Sequence, residues 1–124
     1  HAPPEAERIW ANLAECRRML LDKIAPGAAT RPIYQAFLDL FGALGLPPID
    51  FVGHGIGLHL HEDPYLSVYD ESMLEAGMVL GVEPLVYRTG FGFGLQFKDM
   101  VAVTATGSEL LSDATDNEQL IVIE

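Results

Sequence analysis

Apolar residues recur at helical spacing in two stretches near the N-terminus. Over Pro4 to Ile24, Ile9, Leu13, Cys16, Leu20 and Ile24 fall on one face, and acids occupy the first turn, where they complement the helix dipole. Pro26-Gly27 ends this first helix. Thr30 is expected to cap a second, with Pro32 early in it and Ile33, Phe37, Leu40 and Phe41 on one face until Gly45 and Pro47-Pro48 stop it. The remainder reads as β-rich. Strands are expected around Phe51 to His61, Met78 to Arg88, Gly94 to Ala105 and Leu120 to Ile123, with Asp63-Pro64, Gly77 and Thr106-Gly107 as turns. The acidic stretch Asp113 to Glu118 reads as a solvated loop before the last strand. There is no internal repeat and no low-complexity linker. Two amphipathic helices covering a sheet make the expected class α+β.

Length and composition narrow the organisation. At 124 residues the chain is one domain at most. Its 49% hydrophobic content and mean hydropathy of +0.21 are high for a soluble domain of this size. A sheet that normally packs against a missing half or a partner subunit would account for this, and a homo-oligomer is expected. No segment holds the ~18 uncharged apolar residues needed to span a bilayer, and the first residues carry no signal-peptide pattern. The formal charge of −11, from 18 acids against 7 bases, argues against nucleic acid or an anionic membrane as partner. A single cysteine, Cys16, rules out an internal disulfide, so a cytoplasmic location is expected, and its place in the helical pattern predicts burial rather than nucleophilic chemistry.

The chemistry concentrates in Phe51 to Pro64, FVGHGIGLHLHEDP, where His54, His59 and His61 lie within eight residues of one another. Imidazole both binds transition metals and moves protons near neutral pH. Glycines at 53, 55 and 57 are expected to let the backbone approach whatever the histidines hold. Further along, MVLGVEPLVY at 78–87 is an apolar run broken by one carboxylate, Glu83, which needs a cation, a metal or a donor cluster as partner. Each residue also has a structural reading. His54 can bond backbone. Glu83 can pair with Lys98, and Asp99, next in an extended strand, then points to the opposite face. His59 and His61 would share a face of a strand, an arrangement that can bind zinc, but a cupin-type site wants a glutamate where Tyr65 stands. The GFGFG run at 90–94 lacks the Lys-Ser/Thr ending and following helix of a phosphate loop and reads as a hairpin.

Four strings in order, GHGIGL at 53–58, HEDP at 61–64, LEAGMVLGVEP at 74–84 and KDMVAVTATGSELL at 98–111, resemble the second half of the pita-bread metallopeptidases, the M24 family of methionine aminopeptidase, aminopeptidase P and prolidase. The resemblance runs from about Pro4 to Ser112. It implies two helices packed on a curved, mainly antiparallel sheet, the C-terminal half of a pita-bread catalytic domain, and hence a single partial domain. It further implies that His54 is a metal ligand and that His61 contacts substrate and steadies the tetrahedral intermediate. Glu83 becomes both a metal ligand and the acid/base for the attacking water. His59 matches no functional position of the family and is expected to line the substrate pocket or lie at the surface, and Lys98 is expected in that pocket. The family's divalent metal is manganese, cobalt, iron or zinc.

Two departures follow from the same resemblance. The final bridging glutamate should stand where the chain has Lys98, and the arginine of the prolidase-like pattern is Gln96. The two aspartate ligands come from upstream strands that this chain lacks, which leaves His54 and Glu83 of five family ligands. An ammonium in place of a bridging carboxylate should collapse metal affinity. Two functions are therefore expected in competition. One is a metal-dependent aminopeptidase or prolidase-type hydrolase of which this is a fragment. The other is a metal-free pseudoenzyme, or a creatinase-like non-peptidase, that binds a peptide or small molecule. The isolated 124 residues are expected to be inactive in either case.

Overall fold

The computed structural model describes residues 1–112 and 119–123 of the chain, and the expected acidic loop at 113–118 lies outside them. Helix α1 spans Pro4–Lys23, with proline in its first turn and Glu5 and Glu7 beside its free N–H groups. It buries Ala6, Ile9, Leu13, Cys16 and Leu20 on one face. Burial pushes the Cys16 thiol up to about 12, with Glu15 adding to the effect, so it stays a protonated apolar filler.

Helix α2 spans Thr30–Ala43 and buries Ile33, Tyr34, Phe37 and Phe41. Thr30 does not cap it. It is the first helical residue, and its hydroxyl instead reaches Asp70 O at 3.0 Å and Ser72 O at 3.2 Å. Tertiary acceptors outcompete the local cap because they lie on the strand side of the helix, where the hydroxyl is fully buried.

Among the described residues seven strands follow: β1 (Phe51–Gly55), β2 (Glu62–Ser67), β3 (Val79–Val82), β4 (Leu85–Val86), β5 (Leu95–Gln96), β6 (Asp99–Val103) and β7 (Ser108–Leu110). Five form an antiparallel sheet in the order β2-β1-β3-β6-β7, and β4 pairs with β5 alone. β2 runs across the expected Asp63-Pro64 turn, whereas the expected Thr106-Gly107 turn does separate β6 from β7, a strand the sequence reading did not place. Pro64 is tolerated in β2 because that strand is an edge of the sheet. The run 78–88 is two strands rather than one, since Pro84 has no N–H to continue the ladder. Residues 57–61 leave the expected first strand as bends, and 120–123 form no strand, with Ile121 and Ile123 exposed.

The helices cover one face of the sheet. Leu80, Val82, Val101 and Val103 point into that layer and meet Leu13, Leu20, Phe37 and Phe41. Each of these buried side chains contributes about 1.5–3 kcal/mol of transfer free energy. No helix among the described residues is long and apolar enough to cross a membrane.

One polar hub ties α2 to the edge of the sheet. Asp70 accepts the N–H groups of Tyr65 at 2.6 Å and Ser72 at 2.7 Å and lies 3.2 Å from the Thr30 hydroxyl. Partial burial alone would raise the Asp70 carboxyl, but hydrogen bonds from Ser72, Tyr65 and Thr30 outweigh it and hold the group below its usual range. A carboxyl lowered on folding stabilises the fold above its unfolded value of about 3.9 and loses that contribution as pH falls through the folded value. We therefore expect denaturant midpoints to fall below about pH 4, and Asp70→Asn to flatten this part of the profile while lowering the midpoint at pH 7. Parallel profiles for the two proteins would contradict the assignment.

Candidate metal and substrate site

On the face of the sheet away from the helices, β1 carries His54 opposite Gly81 of β3. The imidazole lies across β3 at that point. A Cβ on Gly81 would stand 3.0 Å from both Cε1 and Nε2 of His54, so only glycine leaves the ring its place. Gly55 answers to a different constraint: a Cβ there would meet the Asp63 carbonyl oxygen at 2.3 Å. At this position the expected approach of the backbone to a ligand is instead an approach to β2.

His54 is fully buried, and its Nδ1 lies 2.9 Å from the Gly55 carbonyl oxygen, which can only accept. In the neutral ring Nδ1–H is then the donor, and the Nε2 lone pair faces the site. Glu83 arrives at the end of β3, where its N–H donates to Val52 O at 2.8 Å and Pro84 turns the chain out of the ladder. Its Oε2 lies 3.6 Å from His54 Nε2. Both atoms are buried, and neither has a hydrogen-bond partner. Two acceptors facing each other across such a gap call for a cation between or beside them.

His61 completes the group from the bends after β1. Its ring centroid is 4.1 Å from that of His54, and one donor atom from each of His54, His61 and Glu83 lies within 4.8 Å of the others. The edge of Phe51 packs near both imidazoles, at 6.3 and 5.8 Å between centroids. His59 is outside this group. Because residues 57–61 are not a strand, His59 and His61 do not share a strand face, and His59 is exposed with its backbone N–H donating to Glu62 Oε2 at 3.2 Å.

Lys98 does reach the site. Its Nζ lies 2.9 Å from Glu83 Oε2, an ion pair. The side chain is 47% exposed. Its direction is set by its neighbours. Phe97 stacks on Trp10 of α1 with centroids 3.9 Å apart, beneath the Arg17 guanidinium at 5.5 Å. Asp99 accepts from Arg17 Nε at 2.6 Å and Nη2 at 3.2 Å, and from the Ser112 hydroxyl at 3.0 Å. With residues 97 and 99 held on the helix side, residue 98 must face the other way. Asp99 thus points away from the site, as its position in the alternation predicts. Arg17 escaped the sequence reading, although a charge between Leu13 and Leu20 on an otherwise apolar helical face was a visible sign of a buried partner.

Beside Glu83 opens a cleft of about 320 Å³ lined by Pro48, Ile49, Asp50, Phe51, Leu85 and Tyr87. Residues 1–105 match the Metallopeptidase family M24. The chain belongs to that family. It is 31% identical over 122 residues to the Xaa-Pro dipeptidase of Pyrococcus furiosus, covering 96% of this chain and 34% of that protein. It is 30% identical to the probable dipeptidase PepE of Mycobacterium tuberculosis, over 96% of this chain and 32% of the relative. The solved prolidase from Pyrococcus furiosus superposes with a TM-score of 0.85 at 27% identity, over 92% of this chain and 34% of its own. Dipeptidase PepE from Mycobacterium ulcerans gives 0.83 at 30% identity, over 91% and 31%. This M24 chain therefore spans about a third of the length of the relatives it matches, and it has the fold of their C-terminal half, two helices on a mainly antiparallel sheet.

Two outcomes test the geometry. Removing one partner of the buried pair strands the other, so Arg17→Met should cost about 3–5 kcal/mol, and Arg17→Met with Asp99→Leu should recover much of it. Urea unfolding of the four proteins in the cycle measures this. Gly81→Ala should displace the His54 imidazole while leaving the far-ultraviolet dichroism intact, and unchanged His54 ring resonances would contradict the placement.

Proposed function

We propose that this chain carries the imidazole and carboxylate part of a metal-dependent hydrolytic centre acting on peptides, as one partial domain whose other donors lie outside these residues. The observation that supports this most is the pair of buried acceptors, His54 Nε2 and Glu83 Oε2, 3.6 Å apart with no hydrogen-bond partner on either. Their chemistry suits a divalent ion, with His54 and Glu83 as its holders and manganese, cobalt, iron or zinc as the family's choices. Such an ion, when bound, supplies Lewis acidity toward water and the peptide carbonyl. Glu83 then takes the proton of the attacking water and returns it to the leaving amine. His61, exposed at the rim, donates to the developing oxyanion. The cleft beside Glu83, apolar apart from Asp50 and Glu83 itself, suits a peptide side chain, and this reading assigns Lys98 and His59 to the substrate pocket. The relatives' greater length fits an upstream half or partner subunit completing the site, and a cytoplasmic homo-oligomer is part of this reading.

One observation favours a second reading. With Lys98 Nζ 2.9 Å from Glu83 Oε2, the chain supplies its own cation, and the pocket would bind a peptide or small molecule without hydrolysing it. Metal analysis of the longest available form of the protein, with and without Lys98→Glu, separates the two. Stoichiometric metal in the unmodified protein supports the hydrolytic centre. Metal appearing only after the substitution supports the metal-free pocket, and none in either form overturns the first reading.

A further inference from the structure

We propose that the aromatic-walled cleft beside edge strand β2 is a subsite for a cationic side chain, so that the peptides this chain takes carry a lysine or arginine close to the bond held at Glu83. That the ligand is a peptide rests on the function proposed above. That the subsite takes a cation rests on the cleft alone.

The cleft has a volume of about 540 Å³ and adjoins the smaller one beside Glu83, because Asp50 and Phe51 line both. Its walls are aromatic: Phe51, Tyr65 and Tyr69 line it, and Phe51 meets Tyr65 edge to face with centroids 5.8 Å apart. Among the described residues no basic side chain lines it, whereas four carboxylates do. Two of the four are already partnered. Asp70 accepts the N–H groups of Tyr65 and Ser72, and Glu71 pairs with Arg31 at 2.5 Å. Asp50 and Asp63 have neither a hydrogen bond nor an ion pair from their carboxylates among the described residues. The charge on Asp50 is felt nearby, for burial raises the Tyr34 phenol above its usual value and Asp50 and Tyr69 add to the rise. Ser67, only 5% exposed, also lines the cleft. Its hydroxyl accepts the Tyr69 N–H at 3.3 Å and keeps its own proton to donate to a peptide carbonyl.

Aromatic walls and unpaired carboxylates select the same ligand. Ring faces attract an ammonium or guanidinium through their quadrupole, and Asp50 and Asp63 supply the opposite charge. The methylenes of a long basic side chain cover ring surface while the charged head stays at the wet end. An acidic side chain would meet like charge, and an aliphatic one would leave both carboxylates without a partner. Because the two clefts share Phe51, a peptide lying at Glu83 needs only to pass that ring to place a neighbouring side chain here.

The test titrates the 124-residue chain with Nα-acetyl-lysine methylamide, once far-ultraviolet dichroism has confirmed that each variant is folded. The norleucine analogue serves as the neutral counterpart and n-butylamine as a cation without a peptide backbone. The lysine probe should shift the ring resonances of Phe51, Tyr65 and Tyr69 and bind about fivefold more tightly than either of the others. Asp50→Asn and Asp63→Asn should each lower its affinity about twofold, and the double variant should abolish the preference over norleucine. Glu109→Gln, which removes the same charge from exposed β7, should change nothing. Equal binding of the lysine and norleucine probes, a preference that survives the double variant, or no binding at all would overturn the proposal. Butylamine binding as tightly as the lysine probe would overturn the assignment to peptides. The metal analysis above is a separate readout. A cation preference in a protein that never takes metal would keep the subsite and overturn the hydrolytic reading, and metal without the preference would do the reverse.

Discussion

The buried ion pair between Arg17 and Asp99 is the contact on which the site depends. It joins the first helix to the start of β6 across 82 residues of chain and fixes which face of that strand is apolar. A carboxylate that is 3% exposed needs its guanidinium, so the register of β6 against α1 is specified by electrostatics as well as packing. Alternation does the rest: with Phe97 against Trp10 and Asp99 against Arg17, Lys98 is left on the opposite face beside Glu83. The first helix thereby bears on which cation meets the carboxylate.

The site itself is a problem of unbalanced acceptors. Packing His54 over Gly81 and ending β3 at Glu83 brings an imidazole lone pair and a carboxylate oxygen together in a place water does not reach. Such an arrangement is costly without a positive charge. In the M24 fold that charge belongs to metal, yet in this chain an amine can also provide it. The two proposed readings thus differ in the occupant of one carboxylate oxygen rather than in the scaffold.

The chain spans about a third of the length of its relatives, and the face that bears the site is the face its two helices leave open. Leu58, Leu60 and Met100 are exposed.

Helical periodicity was enough to place both helices within a residue of their observed ends, and motif spacing was enough to single out His54, His61, Glu83 and Lys98, because amphipathic period and ordered motifs are local properties of the chain. Strand limits were less legible. Pro64 looked like a turn until its strand proved to be an edge, and the tail at 120–123 looked like a strand although no described residue pairs with it as one. Thr30 left its cap for acceptors 40 and 42 residues away, and His59 separated from His61 because the segment bends. Alternation predicted that Asp99 would turn from the site, but its Arg17 partner, the gap between His54 and Glu83, and the reach of Lys98 arise from contacts between distant segments. Those contacts have no local signature: which polar groups meet is decided when helices and strands pack, and a buried charge then takes whichever partner the fold brings within reach.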